Sequence, residues 1–190
     1  MCIRDRLSRV RSLELEVECL IHNAGCGRCF LPHEFPEDEF DKIFDLNVKV
    51  PFALNKMFLP EMLERESGKI VFIGSSVTSN VVGRDCAYSA SKAAALKLME
   101  GLAKDYSRYG VISCAISPHF VEGQMMDRSI RGYATHKGLS FSDAKKVFEG
   151  KMPQKKFVKA EEIAEMVVVF CSGKVPSLSG EEVKMFGGGI

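Results

Sequence analysis

The chain contains no tryptophan and has a formal charge of only +1. Its 26 Lys and Arg nearly cancel its 25 Asp and Glu, so it carries no electrostatic footprint for nucleic acid or an anionic membrane. No apolar run approaches the ~20 residues that span a bilayer. No apolar segment follows Arg4 and Arg6, so a signal peptide is not expected. The seven cysteines are odd in number and scattered, which fits free thiols in a reducing cytoplasm better than a disulfide framework. There is one Cys-x-x-Cys, Cys26-Gly27-Arg28-Cys29, and no second one to complete a zinc site. Two unpaired loop thiols are expected there and no metal, with a redox pair as the rival reading.

What remains is a chain of 190 residues, 46% apolar, the size of one domain with a proper core. Short apolar runs alternate with longer helical patterns. Val17–Ile21, Lys69–Ile73, Val111–Ile116 and Glu182–Phe186 read as strands, the first apolar enough to be buried on both faces. A helix is expected from Pro36 toward Glu64, bent at Pro51, and others over Ala87–Arg108 and Ala160–Cys171. Leu7–Leu15 reads as a helix tail. Residues 119–157 read as a long excursion with one helix near Ser142–Glu149. Strands alternating with helices indicate an α/β fold with a parallel sheet and right-handed crossovers.

One stretch carries chemistry. In Tyr88-Ser89-Ala90-Ser91-Lys92 a phenol and an ammonium lie four apart, on one face of a helix. A neighbouring ammonium favours the phenolate and draws a pKa that is normally near 10 toward the working range. Thirteen residues upstream, Ser75 ends an apolar strand, where its hydroxyl can hold a substrate oxygen against the phenol. Spacing alone also describes an ordinary solvated pair.

The surroundings add Gly74-Ser75-Ser76 after that strand, Asn23-Ala24-Gly25 after an earlier one, Asn47 in a helical pattern, and Gly187-Gly188-Gly189 near the end. In this order they resemble the short-chain dehydrogenase/reductase family, from about Val17 to Ile190. The resemblance implies a Rossmann-type doubly wound parallel sheet and NAD or NADP as cofactor. It implies Tyr88 as general acid/base, Lys92 lowering its pKa and bonding the nicotinamide ribose, Ser75 orienting the carbonyl, and Asn47 holding a water. Ser76 is the rival serine. Asn23, Ala24 and Gly25 correspond to the motif bordering the adenine ribose, and Pro118 to Val121 to the segment contacting the nicotinamide amide. His119 stands where the family usually has glycine. The excursion corresponds to the substrate lid, with Met125, Met126, Tyr133, Phe148 and Met152 as candidate pocket residues, Phe148 rather as lid core.

The family opens with a strand and a Thr-Gly-x-x-x-Gly-x-Gly turn that cradles the pyrophosphate. No such pattern precedes Val17, and Met1–Arg6 resembles the translation of a sequencing-library adapter. The expectation is a single domain over 7–190 lacking its first strands, with about two βα units missing upstream and an apolar edge that folds poorly alone. The reading is an alcohol–ketone oxidoreductase acting on a small molecule, cytoplasmic and homodimeric or homotetrameric when complete. An inactive dimerising fragment is the alternative. Lys151–Val158 followed by Glu161–Ala164 resembles bacterial 3-hydroxybutyrate dehydrogenases, with 3-oxoacyl carrier-protein reductases as other relatives. Gly27, Val77 and Asp85 occupy the places of the carboxylate-binding residues, which makes a neutral carbonyl or secondary alcohol at least as good a substrate reading as an anionic acid.

Overall fold

The computed structural model describes residues 12, 13 and 15–188. Met1–Arg6, most of the helix tail expected over Leu7–Leu15, and Gly189 lie outside them.

Four strands form one parallel sheet: β1 (Cys19–His22), β2 (Gly68–Ile73), β3 (Val111–Pro118) and β4 (Glu182–Met185), in the order β1-β2-β3-β4. Helices α1 (Glu37–Phe44) and α2 (Val50–Glu64) lie between β1 and β2, and α3 (Cys86–Tyr106) between β2 and β3. Helices α4 (Gln124–Lys137), α5 (Phe141–Gly150) and α6 (Ala160–Cys171) precede β4.

The central strands are buried on both faces, and their side chains alternate between two cores. Ile70, Phe72, Val111 and Ala115 pack under α2 and α3, against Phe58, Met62, Leu96 and Met99. Val71, Cys114 and Ile116 point the other way, under Phe170 of α6. Helices on both faces make the sheet doubly wound. Phe72 is 2% exposed and also carries the His22 ring at 4.5 Å. Phe72→Ala is therefore expected to cost about 3–5 kcal/mol, read as a lower urea midpoint with an unchanged slope.

Three expectations change. β1 is not buried on both faces: it is an edge strand among the described residues, and Ile21 is 45% exposed. The excursion holds two helices rather than one. Met126, Ile130 and Ala134 of α4 interlock with Ala144 of α5 and with Phe157, and Tyr133 and Phe148 pack on that cluster. So Met126, Tyr133 and Phe148 form the core between these two helices, while Met125 is exposed. The bend expected at Pro51 is instead a π-helical turn, Asp45–Lys49, between α1 and α2. Proline lacks the N–H that would bond the Asn47 carbonyl, and its ring crowds that carbonyl. The helix widens just upstream, with the Val50 N–H reaching back to the Asp45 carbonyl.

Candidate active site

The carboxyl ends of parallel strands gather the loops of the sheet on one side. Ser75 follows β2, Asn23 follows β1, and Pro118 ends β3, so the sequence-predicted residues share that side. The first turns of α3 bring Tyr88 and Lys92 to it.

The π-turn aims Asn47 inward. Asn47 is 3% exposed, and its amide is nearly saturated. Its Oδ1 accepts from the Cys26 N–H at 2.9 Å, and its Nδ2 donates to the Cys26 carbonyl at 2.8 Å and the Ser91 hydroxyl at 2.9 Å. Ser91 in turn donates to the Tyr88 carbonyl at 2.7 Å. Asn47 thus pins the loop after β1 to α3, and one lone pair of Oδ1 remains for a further partner.

Two glycines let that loop approach. A Cβ on Gly25 would sit 3.3 Å from Asn47 Oδ1 and 3.4 Å from Lys92 Nζ. A Cβ on Gly27 would sit 3.0 Å from the Tyr88 ring. Asn23 and Ala24 are exposed beside them.

Lys92 is 7% exposed and donates to the Ile73 carbonyl at 2.7 Å. Its Nζ lies 5.8 Å from the centre of the Tyr88 ring. Burial lowers its pKa to about 8, with Cys26 opposing. Burial also raises the Tyr88 phenol above its ordinary value; hydrogen bonding from Ser75 pulls it down, and Asp85 and Cys26 push it up. The expected lowering by Lys92 does not govern here. Desolvation penalises the charged forms of both groups, and Lys92 spends a proton on the Ile73 carbonyl.

The two serines are separated by their partners. Ser75 faces Tyr88. Ser76, 7% exposed, is bonded to His119 Nδ1 at 2.6 Å. The His119 ring stacks on Phe120 with centroids 4.0 Å apart. Burial lowers the His119 pKa, with Lys151 adding to it. Pro118 is buried and Val121 half-buried. Val121 bridges to Val158 through its neighbours: Val158 N–H bonds the Phe120 carbonyl at 2.8 Å, and Glu122 N–H bonds the Val158 carbonyl at 2.9 Å. The backbone groups of Val121 itself therefore face away from Val158.

Sequence reasoning missed Ser91 and the Ser76–His119 pair. The spacing of Ser91 from Tyr88, one helical turn, was its only signal. The pair joins residues 43 apart on two strand ends and left none. The six described cysteines are free, and no metal-binding group of three or more His, Cys, Asp or Glu occurs among the described residues. No described helix is long and apolar enough to cross a membrane.

The short-chain dehydrogenase family model matches residues 3–133. An uncharacterized oxidoreductase of Thermotoga maritima is 30% identical over 172 residues, 90% of this chain and 66% of the relative. The 3-oxoacyl-[acyl-carrier-protein] reductase FabG of Escherichia coli is 27% identical over 98% of this chain and 72% of its own length. The chain thus spans about two thirds of the length of these relatives. Among solved structures, an NAD+-bound xylitol dehydrogenase has a TM-score of 0.88 at 24% identity, covering 98% of this chain and 74% of that one. Sorbitol-6-phosphate 2-dehydrogenase SrlD of Erwinia amylovora has a TM-score of 0.90 at 20% identity, covering 97% and 73%. At those identities the likeness is one of fold.

Proposed function

Because the chain belongs to the short-chain dehydrogenase/reductase family, we propose that it interconverts a secondary alcohol and a ketone, with Tyr88 as general acid/base. The observation that carries this reading is Ser75 facing the Tyr88 phenol while Lys92 and Asn47 are locked behind it. In reduction, the Ser75 hydroxyl orients the carbonyl and the Tyr88 phenol protonates its oxygen. In oxidation, Tyr88 takes the hydroxyl proton. Lys92 supplies the positive charge that steadies the phenolate, which accepts that proton in oxidation and is left behind in reduction. The free lone pair of Asn47 Oδ1 suits a water in a proton path from Lys92 to solvent.

A nicotinamide cofactor, NAD or NADP, supplies or accepts the hydride when bound. The residues present fit its nicotinamide end. Val121 has backbone groups turned away from Val158 and Lys92 offers a buried ammonium, while Asn23, Ala24 and Gly25, at the end of β1, would border the adenine ribose. Neither form of the cofactor is favoured by these contacts.

A homodimer or homotetramer is part of the proposal. A groove of about 360 Å³ between α2 and α3 is lined by exposed Phe52 and half-buried Leu98 and Leu102, a suitable face for a second copy. Free thiols agree with a cytoplasmic setting. The test is turnover of a panel of secondary alcohols and ketones with each nicotinamide cofactor, on the longest product the gene encodes. Turnover with neither cofactor on any of them would overturn the reading. It would favour the rival one, a catalytically silent module that pairs through α2 and α3.

A further inference from the structure

The Ser117 side chain is completely buried, and its Oγ has no hydrogen-bond partner among the described residues. A hydroxyl in that state lowers stability, because it has left water without gaining a replacement bond. What it touches is Gly74. A Cβ on Gly74 would overlap the Ser117 Oγ, with Ser117 Cβ 3.3 Å and Leu96 Cδ2 3.6 Å away. The hydroxyl therefore rests against the open side of the residue before Ser75. The Gly74 N–H also bonds the Ile116 carbonyl at 2.8 Å. Two residues past Ser117, the His119 Nδ1 bonds the hydroxyl of Ser76, the residue after Ser75, at 2.6 Å. One short stretch, 116–119, thus grips both neighbours of Ser75 and leaves Ser75 itself to face Tyr88.

That stretch is rigid. β3 pairs with β2 on one side and β4 on the other. His119 is fixed further, with its N–H on the Met185 carbonyl at 3.1 Å and its ring stacked on Phe120. Ser75, by contrast, is held by its own loop. Its carbonyl accepts from the Thr78 N–H at 3.2 Å and the Thr78 hydroxyl at 2.9 Å, and its Oγ accepts from the Val77 N–H at a long 3.4 Å. These bonds fold the loop on itself and do not set its height over the sheet. A donor aimed at a reacting atom has to stand within about 0.5 Å of its productive position. An error of about 1 Å costs roughly a hundredfold in rate.

We propose that Ser117 and His119 are positioning residues, a two-point clamp from β3 that sets Ser75 against the reacting oxygen. This rests on the oxidoreductase reading above. Each point holds one neighbour of Ser75, so either alone keeps the serine near its place. Loss of both frees it. The unmatched Ser117 hydroxyl then has a reason to be there: it lowers stability and fixes Gly74.

The test is a double-mutant cycle with Ser117→Ala and Ser76→Ala, the second removing the bond to His119. Oxidation of the secondary alcohol that the wild-type holoenzyme turns over best is measured. Each single variant should lower kcat by no more than a few-fold. Ser117→Ala should also raise the thermal midpoint, since an unmatched hydroxyl has gone. The double variant should lose roughly a hundredfold in kcat, beyond the product of the single losses. Its alkaline rate limb should move to higher pH, because the Ser75 bond that lowers the Tyr88 pKa is lost. A merely structural loss would lower the midpoint and leave that limb in place. If the double variant does not fold, Gly74→Ala carries the test. It should lower kcat by about tenfold or more by pressing on the same point, and adding Ser117→Gly should restore it. A double variant that loses no more than the product of the singles, or a Gly74→Ala loss that Ser117→Gly does not restore, would overturn the clamp alone. No turnover by the wild type with either cofactor would overturn both the clamp and the reading beneath it.

Discussion

Tyr88→Phe should lower turnover of secondary alcohols by roughly two to four orders of magnitude while leaving the folded state intact. The size follows from what a positioned acid/base contributes. The selectivity follows from the geometry. Phenylalanine keeps the ring that packs on Gly27 and lies near Lys92. It loses only the oxygen. Two measurements check this together: single-turnover hydride transfer, and the thermal midpoint. A rate that survives, at an unchanged midpoint, removes Tyr88 from the proton step. The pH dependence has a definite sign. Oxidation needs the phenolate, so its rate should rise with pH, and burial holds the phenol pKa high, placing that rise on the alkaline side. The Lys92 ammonium, its pKa lowered by burial to about 8, is lost over the same range, so its support fades as the phenolate forms. In Tyr88→Phe the rising limb should vanish.

The second large effect divides two adjacent serines. Ser75→Ala should cost roughly a hundred- to a thousandfold in kcat, the usual loss when one donor aimed at a developing oxyanion is removed. Ser76→Ala should change kcat by no more than a few-fold and should instead destabilise the fold. It leaves His119 Nδ1 without its 2.6 Å partner, a loss of about 1–3 kcal/mol. The two variants should therefore separate on two axes, one in rate and the other in unfolding. If Ser76→Ala carries the rate loss, the serine roles are exchanged.

Much of this architecture is legible in the sequence because burial on two faces writes continuous apolar runs. Ile70-Val71-Phe72 and the stretch after Val111 mark β2 and β3, and α6 runs over Ala160–Cys171 as its pattern predicts. The edge strand β1 is less legible, because an apolar run says nothing about whether its faces are covered. Helix α4 was hidden by composition. Its buried residues Met126, Ile130 and Ala134 repeat every fourth position, a real helical signal, but Gly132 and many polar residues dilute it. The site divides the same way. Tyr88, Lys92 and Ser75 are close in sequence and stand on two adjoining elements. The bond between Ser76 and His119 depends on loop backbone, which no periodicity reports. The direction of the Tyr88 pKa also escaped, because a four-residue spacing shows the charge beside a phenol and not the water it has lost.

The π-turn makes chain length, rather than side-chain identity, the sensitive variable around Asn47. A π-turn holds one residue more than the α-helical turn it replaces. Deleting one residue between Asp45 and Lys49 would close the turn to α-helical spacing, but it would set the Pro51 ring against the carbonyl four residues before it, at a cost of about 3 kcal/mol. The helix would keep its content, yet the Asn47 amide would rotate off the Cys26 backbone and the Ser91 hydroxyl. A single-residue deletion there is therefore expected to remove the Asn47 contacts and to lower stability together.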